Sequence, residues 1–295
     1  MLEDVSAPPV PGGVALTAAA VGRERAEESA RPDGLVRDPW ASALVDAAVA
    51  AAPESPQWRL IAEGMTPSAM VPAMCGFLAL RTRWLDDAVL AAVAGGIRQV
   101  VVLGDGFDTR ALRLPWPAPV DVITVDQPAV IEIVRRALDR EEPEPGVRWT
   151  RVPADLTGPW ASELRATGFD PGSATAWIIE GVLMYLDPAE AGELLRVVRE
   201  LSAPGSAVFA DVPRPPAVED TAFRPGRPAL EDNSSPVRVA VTCFGSRGWQ
   251  VREVDPAALA AGHERPVPPV LDPRAPGGPS FGFVESRLSG ATSAR

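Results

Sequence analysis

Gln99-Val-Val-Val-Leu-Gly-Asp-Gly-Phe-Asp-Thr-Arg110 runs from an apolar, β-branched segment straight into two glycines and two aspartates. A short continuous apolar run bounded by turn residues reads as a strand buried on both faces, the kind found inside a parallel sheet. Glycines at the carboxyl end of such a strand let a nucleotide-like ligand approach the backbone, here at Gly104 and Gly106. An acidic residue about twenty positions on, closing the next strand, suits the paired hydroxyls of a ribose. Asp126, the last residue of Asp-Val-Ile-Thr-Val-Asp, stands there. The dinucleotide fingerprint G-x-G-x-x-G asks for a third small residue that packs helix against strand around a pyrophosphate. That position holds Thr109. The pattern therefore favours an adenosine without phosphates, with S-adenosylmethionine the foremost candidate.

Working outward, short apolar runs alternate with helical patterns. Strands are expected at 100–103, 120–125, 147–152, 175–179 and 206–210, and helices at 129–140, 159–167 and 188–201, each helix opened by a proline or Asp-Pro signal. Strands at 250–254 and 281–287 and a helix at 237–246 close the chain. This alternation predicts an α/β fold with a doubly wound, mostly parallel seven-stranded sheet. Residues before Gly95-Gly96 read as helical, at 14–30, from Trp40, and along 65–94. They predict an N-terminal helical cap over 1–95 and a ligand-binding domain over 96–295. The segment 212–236 carries Pro213, Pro215, Pro216, Pro225, Pro228 and Pro236 and reads as a long loop or lid rather than a regular element.

Composition removes several chemistries. The chain has no lysine, so all 28 basic residues are arginine, which excludes a Schiff-base lysine and a Walker A phosphate loop. One histidine, His263, and two distant cysteines, Cys75 and Cys243, cannot assemble a zinc cluster. The cysteines read as small buried hydrophobes of a reducing compartment, which points to the cytoplasm. A net charge of -11 repels phosphate backbones, so no nucleic-acid partner is expected. The start Met-Leu-Glu-Asp lacks the positive region of a signal peptide, and the apolar run 41–52 is short and contains Asp46, so no membrane partner is expected either.

Several motifs, in order, carry a family resemblance. They are Phe77-Leu-Ala-Leu-Arg-Thr-Arg-Trp-Leu-Asp-Asp87, Gly96-Ile-Arg followed by the opening stretch, Arg113-Leu-Pro-Trp-Pro117, Val125-Asp-Gln-Pro128 and Glu180-Gly-Val-Leu-Met-Tyr-Leu186. Over residues 14–254 the chain resembles the leucine carboxyl methyltransferases, in particular their actinobacterial branch of S-adenosylmethionine-dependent O-methyltransferases. The resemblance implies a class I methyltransferase fold with a helical N-terminal cap, and S-adenosylmethionine as cofactor. Some members of the family esterify protein C-termini, and others esterify carboxylates of polyketide-type natural products. It places Arg81 against the methionine carboxylate, Gly104 against the methionine amine and Asp126 on the ribose, and their neighbours Asp105, Gly106 and Gln127 are further cofactor-binding candidates. It also places Asp155 and Leu156 beside the adenine and Glu180 near the methionine moiety. Two positions depart from the family pattern: its usual Gly-Ala-Gly is Gly104-Asp105-Gly106 here, and Leu112 replaces an aromatic. Asp105 adds a carboxylate that could repel the methionine carboxylate or attract the sulfonium and ammonium.

The expected chemistry is displacement at the methyl carbon of a sulfonium by an oxygen nucleophile. A carboxylate of a small molecule or peptide, ionised at neutral pH, needs no general base, which suits a chain with one histidine. Tyr185, the sole tyrosine, follows the fourth strand and is the candidate catalytic residue facing the acceptor. Two rival readings share the glycine loop. A nicotinamide oxidoreductase would use Asp126 in the same way, and a catalytically silent binding subunit would explain Asp105.

Overall fold

The structure is a computed structural model, and it describes residues 14–52, 54–214, 244–245, 248–275 and 281–289. Seven strands form one sheet: β1 (Gln99–Leu103), β2 (Val120–Asp126), β3 (Val147–Pro153), β4 (Thr175–Ile179), β5 (Ala207–Pro213), β6 (Trp249–Val254) and β7 (Phe281–Leu288). Their order is β3-β2-β1-β4-β5-β7-β6. β1 to β5 are parallel, and β7 runs antiparallel to both β5 and β6. Order reverses between β1 and β4, so the switch point lies beyond the carboxyl ends of these two strands, where a doubly wound sheet opens a crevice.

Alternation along the inner strands explains why they read as unbroken apolar runs. Val100, Val102, Ala176, Ile178, Ala207 and Phe209 face one hydrophobic cluster. Val101, Leu103, Trp177, Ile179, Val208 and Ala210 face the other. A strand buried on both faces has no polar face to show, and each large aliphatic side chain so buried contributes about 1.5–3 kcal/mol.

The first cluster is completed by helix α5 (Phe77–Ala94), which lays Phe77, Leu78, Leu80, Trp84, Leu85 and Val89 on the sheet. Phe77 and Trp84 stack on Phe283 of β7, with ring centroids 5.9 and 4.8 Å apart. The second face carries α8 (Trp160–Ala166) and α9 (Pro188–Glu200). α9 opens with a capping box: Asp187 accepts from the amides of Ala189 and Glu190, and Glu190 accepts from the amide of Asp187 at 2.8 Å.

A third cluster joins α1 (Val14–Ala30), α2 (Ala41–Ala51) and α3 (Pro56–Ala62) to α7 (Pro128–Ala137) and to Phe107 of the glycine loop. Through Phe107 these N-terminal helices are packed directly over the switch point.

Three expectations are corrected. The helix foreseen along 65–94 is broken into α4 (Pro67–Met70), a 3-10 turn (Pro72–Met74) and α5. Pro67 and Pro72 lack the N–H that would continue a helix, and Gly76 turns left-handed, at φ 76°, to start α5. Val212 and Pro213, assigned to the loop at 212–236, extend β5, where Pro213 occupies a strand terminus. From Pro215 that segment lies outside the described residues, as does all but Phe244 and Gly245 of the helix foreseen at 237–246. Cys75 is exposed, not buried, because it caps the 3-10 turn, while Cys243 lies outside the described residues. Three short elements were not foreseen, namely α6 (Arg110–Arg113), a helix at Pro256–Gly262 and a 3-10 turn at Pro269–Leu271. Among the described residues no helix is long and apolar enough to cross a membrane.

Candidate functional site

A cavity of about 380 Å³ opens at the switch point. Its floor comes from the carboxyl ends of β1, β2, β3 and β4, and its roof from α1 and the α4 region. All ten residues singled out from the sequence line it: Arg81, Gly104, Asp105, Gly106, Asp126, Gln127, Asp155, Leu156, Glu180 and Tyr185.

The glycine loop leaves β1 in a shape that only glycine takes without strain. Gly104 and Gly106 have φ of 65° and 55°. A Cβ on Gly104 would sit 2.6 Å from Val182 Cγ2, and one on Gly106 would sit 3.1 Å from the Ala18 side chain. The loop is therefore clamped between the β4 turn and α1. Its outer rim is tied to β2, where Asp126 Oδ2 accepts from the Gly106 amide and Oδ1 from the Gln127 amide, both at 2.6 Å. Asp155, after β3, folds its Oδ1 onto the amide and hydroxyl of Thr157 at 2.9 and 2.8 Å. It thus holds a turn rather than capping α8, whose N-cap is Pro159.

At the β4 end the site is built from ion pairs. Glu180 is gripped by Arg81 Nε at 3.0 Å and by Arg110 Nη1 at 2.8 Å. Arg81 Nη1 also reaches Asp211 at 2.9 Å, and Asp211 accepts from the Gly181 amide at 2.6 Å. Arg110 is paired with Asp108 and, through Nε at 2.7 Å, with Asp86, which in turn holds Arg113. Burial pushes the Glu180 carboxyl up, but Arg110, Arg81 and Arg25 outweigh it and hold the group at about 2. Burial raises Asp211 as well, against the pull of Arg81.

Arg25 of α1 spends Nε on Asp38 at 3.1 Å and Nη2 on the Phe107 carbonyl. Two lining guanidinium nitrogens, Arg81 Nη2 and Arg25 Nη1, have no hydrogen-bond partner among the described residues. The Tyr185 hydroxyl, beside Thr17, is pushed up by burial. His263 is remote from the cavity, facing Asp87 at 3.6 Å.

Sequence reasoning missed Asp211, Arg110 and Arg25. Asp211 follows the apolar run of β5 as Glu180 follows that of β4, and Arg110 ends the Asp-Thr-Arg of the opening stretch, so both carried a readable signal. Arg25 carried none, since one arginine in an Arg/Glu-rich helix looks like any other.

A doubly wound sheet in this order, with glycines after β1 and an acid closing β2, is the arrangement expected of an S-adenosylmethionine-dependent methyltransferase. The orphaned carboxyl oxygens of Asp105 and the free arginine nitrogens, beside a glycine loop whose backbone lines the cavity, fit that cofactor. The family model of leucine carboxyl methyltransferase matches residues 17–199, and the chain belongs to that family. Two similar proteins, each named "Putative S-adenosyl-L-methionine-dependent methyltransferase", come from Parafrankia sp. and Saccharopolyspora erythraea. The first is 38% identical over 87% of this chain and 83% of its own length, and the second 38% over 86% and 90%. A solved DUF574 family protein of Streptomyces avermitilis matches 83% of this chain and 96% of its own with a TM-score of 0.55 at 19% identity, which shows the shared fold. The nicotinamide reading falls with the family.

Proposed function

We propose that the chain methylates a carboxylate of a small molecule or peptide, forming a methyl ester in the cytoplasm, in natural-product biosynthesis. The observation that carries this reading is the absence of a general base at the β4 end of the cavity among the described residues. Glu180 is held near 2 between two arginines, Glu190 is spent on its capping box, Tyr185 is pushed up, and neither histidine nor cysteine lines the site. A hydroxyl acceptor would need a group to take its proton, whereas a carboxylate arrives ionised.

When bound, S-adenosylmethionine supplies a methyl group on a sulfonium. In this reading Asp126 and Gln127 hold the ribose, Asp155 and Leu156 flank the adenine, and Gly104 and Gly106 let the chain pass close to the backbone. Arg81 takes the methionine carboxylate through Nη2 while Glu180 keeps its guanidinium in place. Arg25 Nη1 offers a second cation for the acceptor carboxylate, and Tyr185 orients that acceptor. The apolar roof of Val21, Met74, Leu78 and Met184 excludes water, which favours combining an anion with a cation into neutral products.

The test is incubation with methyl-labelled cofactor and a panel of peptide, aromatic and fatty carboxylic acids, read by mass spectrometry. A gain of one labelled methyl that mild alkali removes is expected, with a rate at saturating cofactor that stays flat from about pH 6 to 10. A product that survives alkali, or a rate climbing through the phenol range, sinks the carboxylate reading. Cofactor binding without transfer to any acceptor class favours a silent binding subunit.

A further inference from the structure

Asp105 stands between the two glycines of the β1 loop, and its surroundings set it apart from the other acids of the cavity. It keeps 8% of its surface exposed, and neither carboxyl oxygen completes a hydrogen bond. Asp126, 6% exposed, is its neighbour, because the amide of the very next residue, Gly106, donates to Asp126 Oδ2. The groups facing Asp105 are Asp126 and Thr124 from β2, Asp108 from its own loop, and Arg151 from β3. Arg151 offers weak compensation. Its guanidinium is turned flat onto the Trp149 ring, 3.6 Å from the centroid, its Nε is unpartnered, and Arg135 and Asp139 of the α7 region also act on it.

We propose that Asp105 and Asp126 hold one proton between them, and that this pair binds the cofactor's ribose diol as a joint donor and acceptor. Two interacting carboxyls buried in one site cannot both ionise cheaply, so one remains an acid at neutral pH. The proton resides on Asp105, whose oxygens receive no amide, while Asp126 receives two. Burial, then Asp126, then Asp108 all push the Asp105 carboxyl well up. A neutral Asp105 does not repel the methionine carboxylate, and its O–H can donate to a ribose oxygen while the remaining lone pairs of Asp126 accept from the ribose hydroxyls.

Ligand binding is then linked to a proton. Above the titration of the pair the site carries two adjacent anions, and closing a ribose over them requires taking the proton back. Affinity should fall about ten-fold for each pH unit beyond that point.

The inference rests on Asp126 as the ribose residue, and the experiment separates the two. Binding of 5′-methylthioadenosine, which has the diol but no amino-acid end to titrate, is measured from pH 6 to 10 on wild type and on Asp105→Asn. Wild type should lose about ten-fold per pH unit in the upper range, and Asp105→Asn, which keeps a donor but cannot ionise, should stay flat. A flat wild-type profile, or the same slope in both proteins, overturns the shared proton and leaves the ribose assignment standing. Failure of wild type to bind the ligand at any pH overturns both. If Asp105→Asn does not fold, calorimetry of wild type at alkaline pH in buffers of different ionisation heat decides the matter: uptake of about one proton per ligand supports the pair, and zero uptake overturns it.

Discussion

The two ends of the cavity use the same residue type to opposite effect. Glu180 closes β4 and Asp126 closes β2, with β1 between them, and both are acids at the carboxyl end of a buried strand. Around Glu180 the arginines Arg81, Arg110 and Arg25 arrive from α5, α6 and α1 and keep it ionised. Around Asp126 the neighbours are backbone amides and another acid, Asp105, and both carboxyls are pushed up by burial. A strand-end acid is therefore a position, and the cations delivered by other elements decide its charge.

The two ends accordingly contribute to stability with opposite pH dependence. Glu180 is depressed on folding, so its contribution is present above its unfolded value near 4.5 and is lost as pH falls toward about 2. Asp105 is raised on folding, so its contribution is present below its unfolded value near 3.8 and is lost as pH rises through the folded value.

Breaking the ion-paired end should produce the largest effect. Arg110 is fully buried and serves Asp86, Asp108 and Glu180 at once. Arg110→Ala would leave three carboxylates facing one another with only Arg81, Arg113 and the more distant Arg25 to balance them. Removing one partner of a buried network costs about 3–5 kcal/mol, and urea denaturation at pH 7 should show that loss. The variant's deficit should also shrink on acidification, because wild type loses its Glu180 contribution as pH falls toward about 2 and the variant, without Arg110, has less of it to lose. A loss under about 1 kcal/mol would mean that the network stabilises little beyond its own desolvation cost.

The glycine-loop end is sharpened by a smaller change. Asp126→Ala removes the acceptor of the Gly106 and Gln127 amides together with the proposed ribose ligand. Charge-assisted hydrogen bonds of about 1.5–3 kcal/mol correspond to roughly ten- to a hundred-fold weaker binding of S-adenosylhomocysteine. Unchanged affinity in a folded variant would move the ribose elsewhere in the cavity.

Much of this site was legible in the sequence because its backbone half is local. Gly104, Gly106 and Asp126 announce themselves by spacing, since a parallel strand, a tight turn and the next strand end repeat at a set distance along the chain. What could not be read is the pairing across the fold. Arg81 meets Asp211 from 130 positions away, and nothing local says that a helix arginine will be spent on one strand-end acid and shared with another. The same gap explains the broken helix at 65–94. Its apolar period continues through Pro67 and Pro72, but those residues bend the chain so that Pro67 and Met74 line the cavity from above. Asp105 was visible as a departure from the family pattern, whereas its effect depended on neighbours from β2 and β3.

The smallest expected effect lies between the two ends. Tyr185 follows the β4 turn, half-buried, with Thr17 of α1 beside its hydroxyl and Arg81 and Asp211 within electrostatic reach. Removing one hydroxyl deletes a hydrogen bond of about 0.5–1.5 kcal/mol, which is roughly two- to twelve-fold in rate if that bond orients the acceptor. Tyr185→Phe should therefore lower kcat modestly while S-adenosylhomocysteine binds as before, since the ring still fills its place and the ion pairs of Arg81 persist. If cofactor affinity falls by the same factor as kcat, Tyr185 belongs to the Arg81 and Glu180 network and not to the acceptor. The acceptor would then be oriented by Arg25 alone, and the α1 roof would become the element whose side chains select what is methylated.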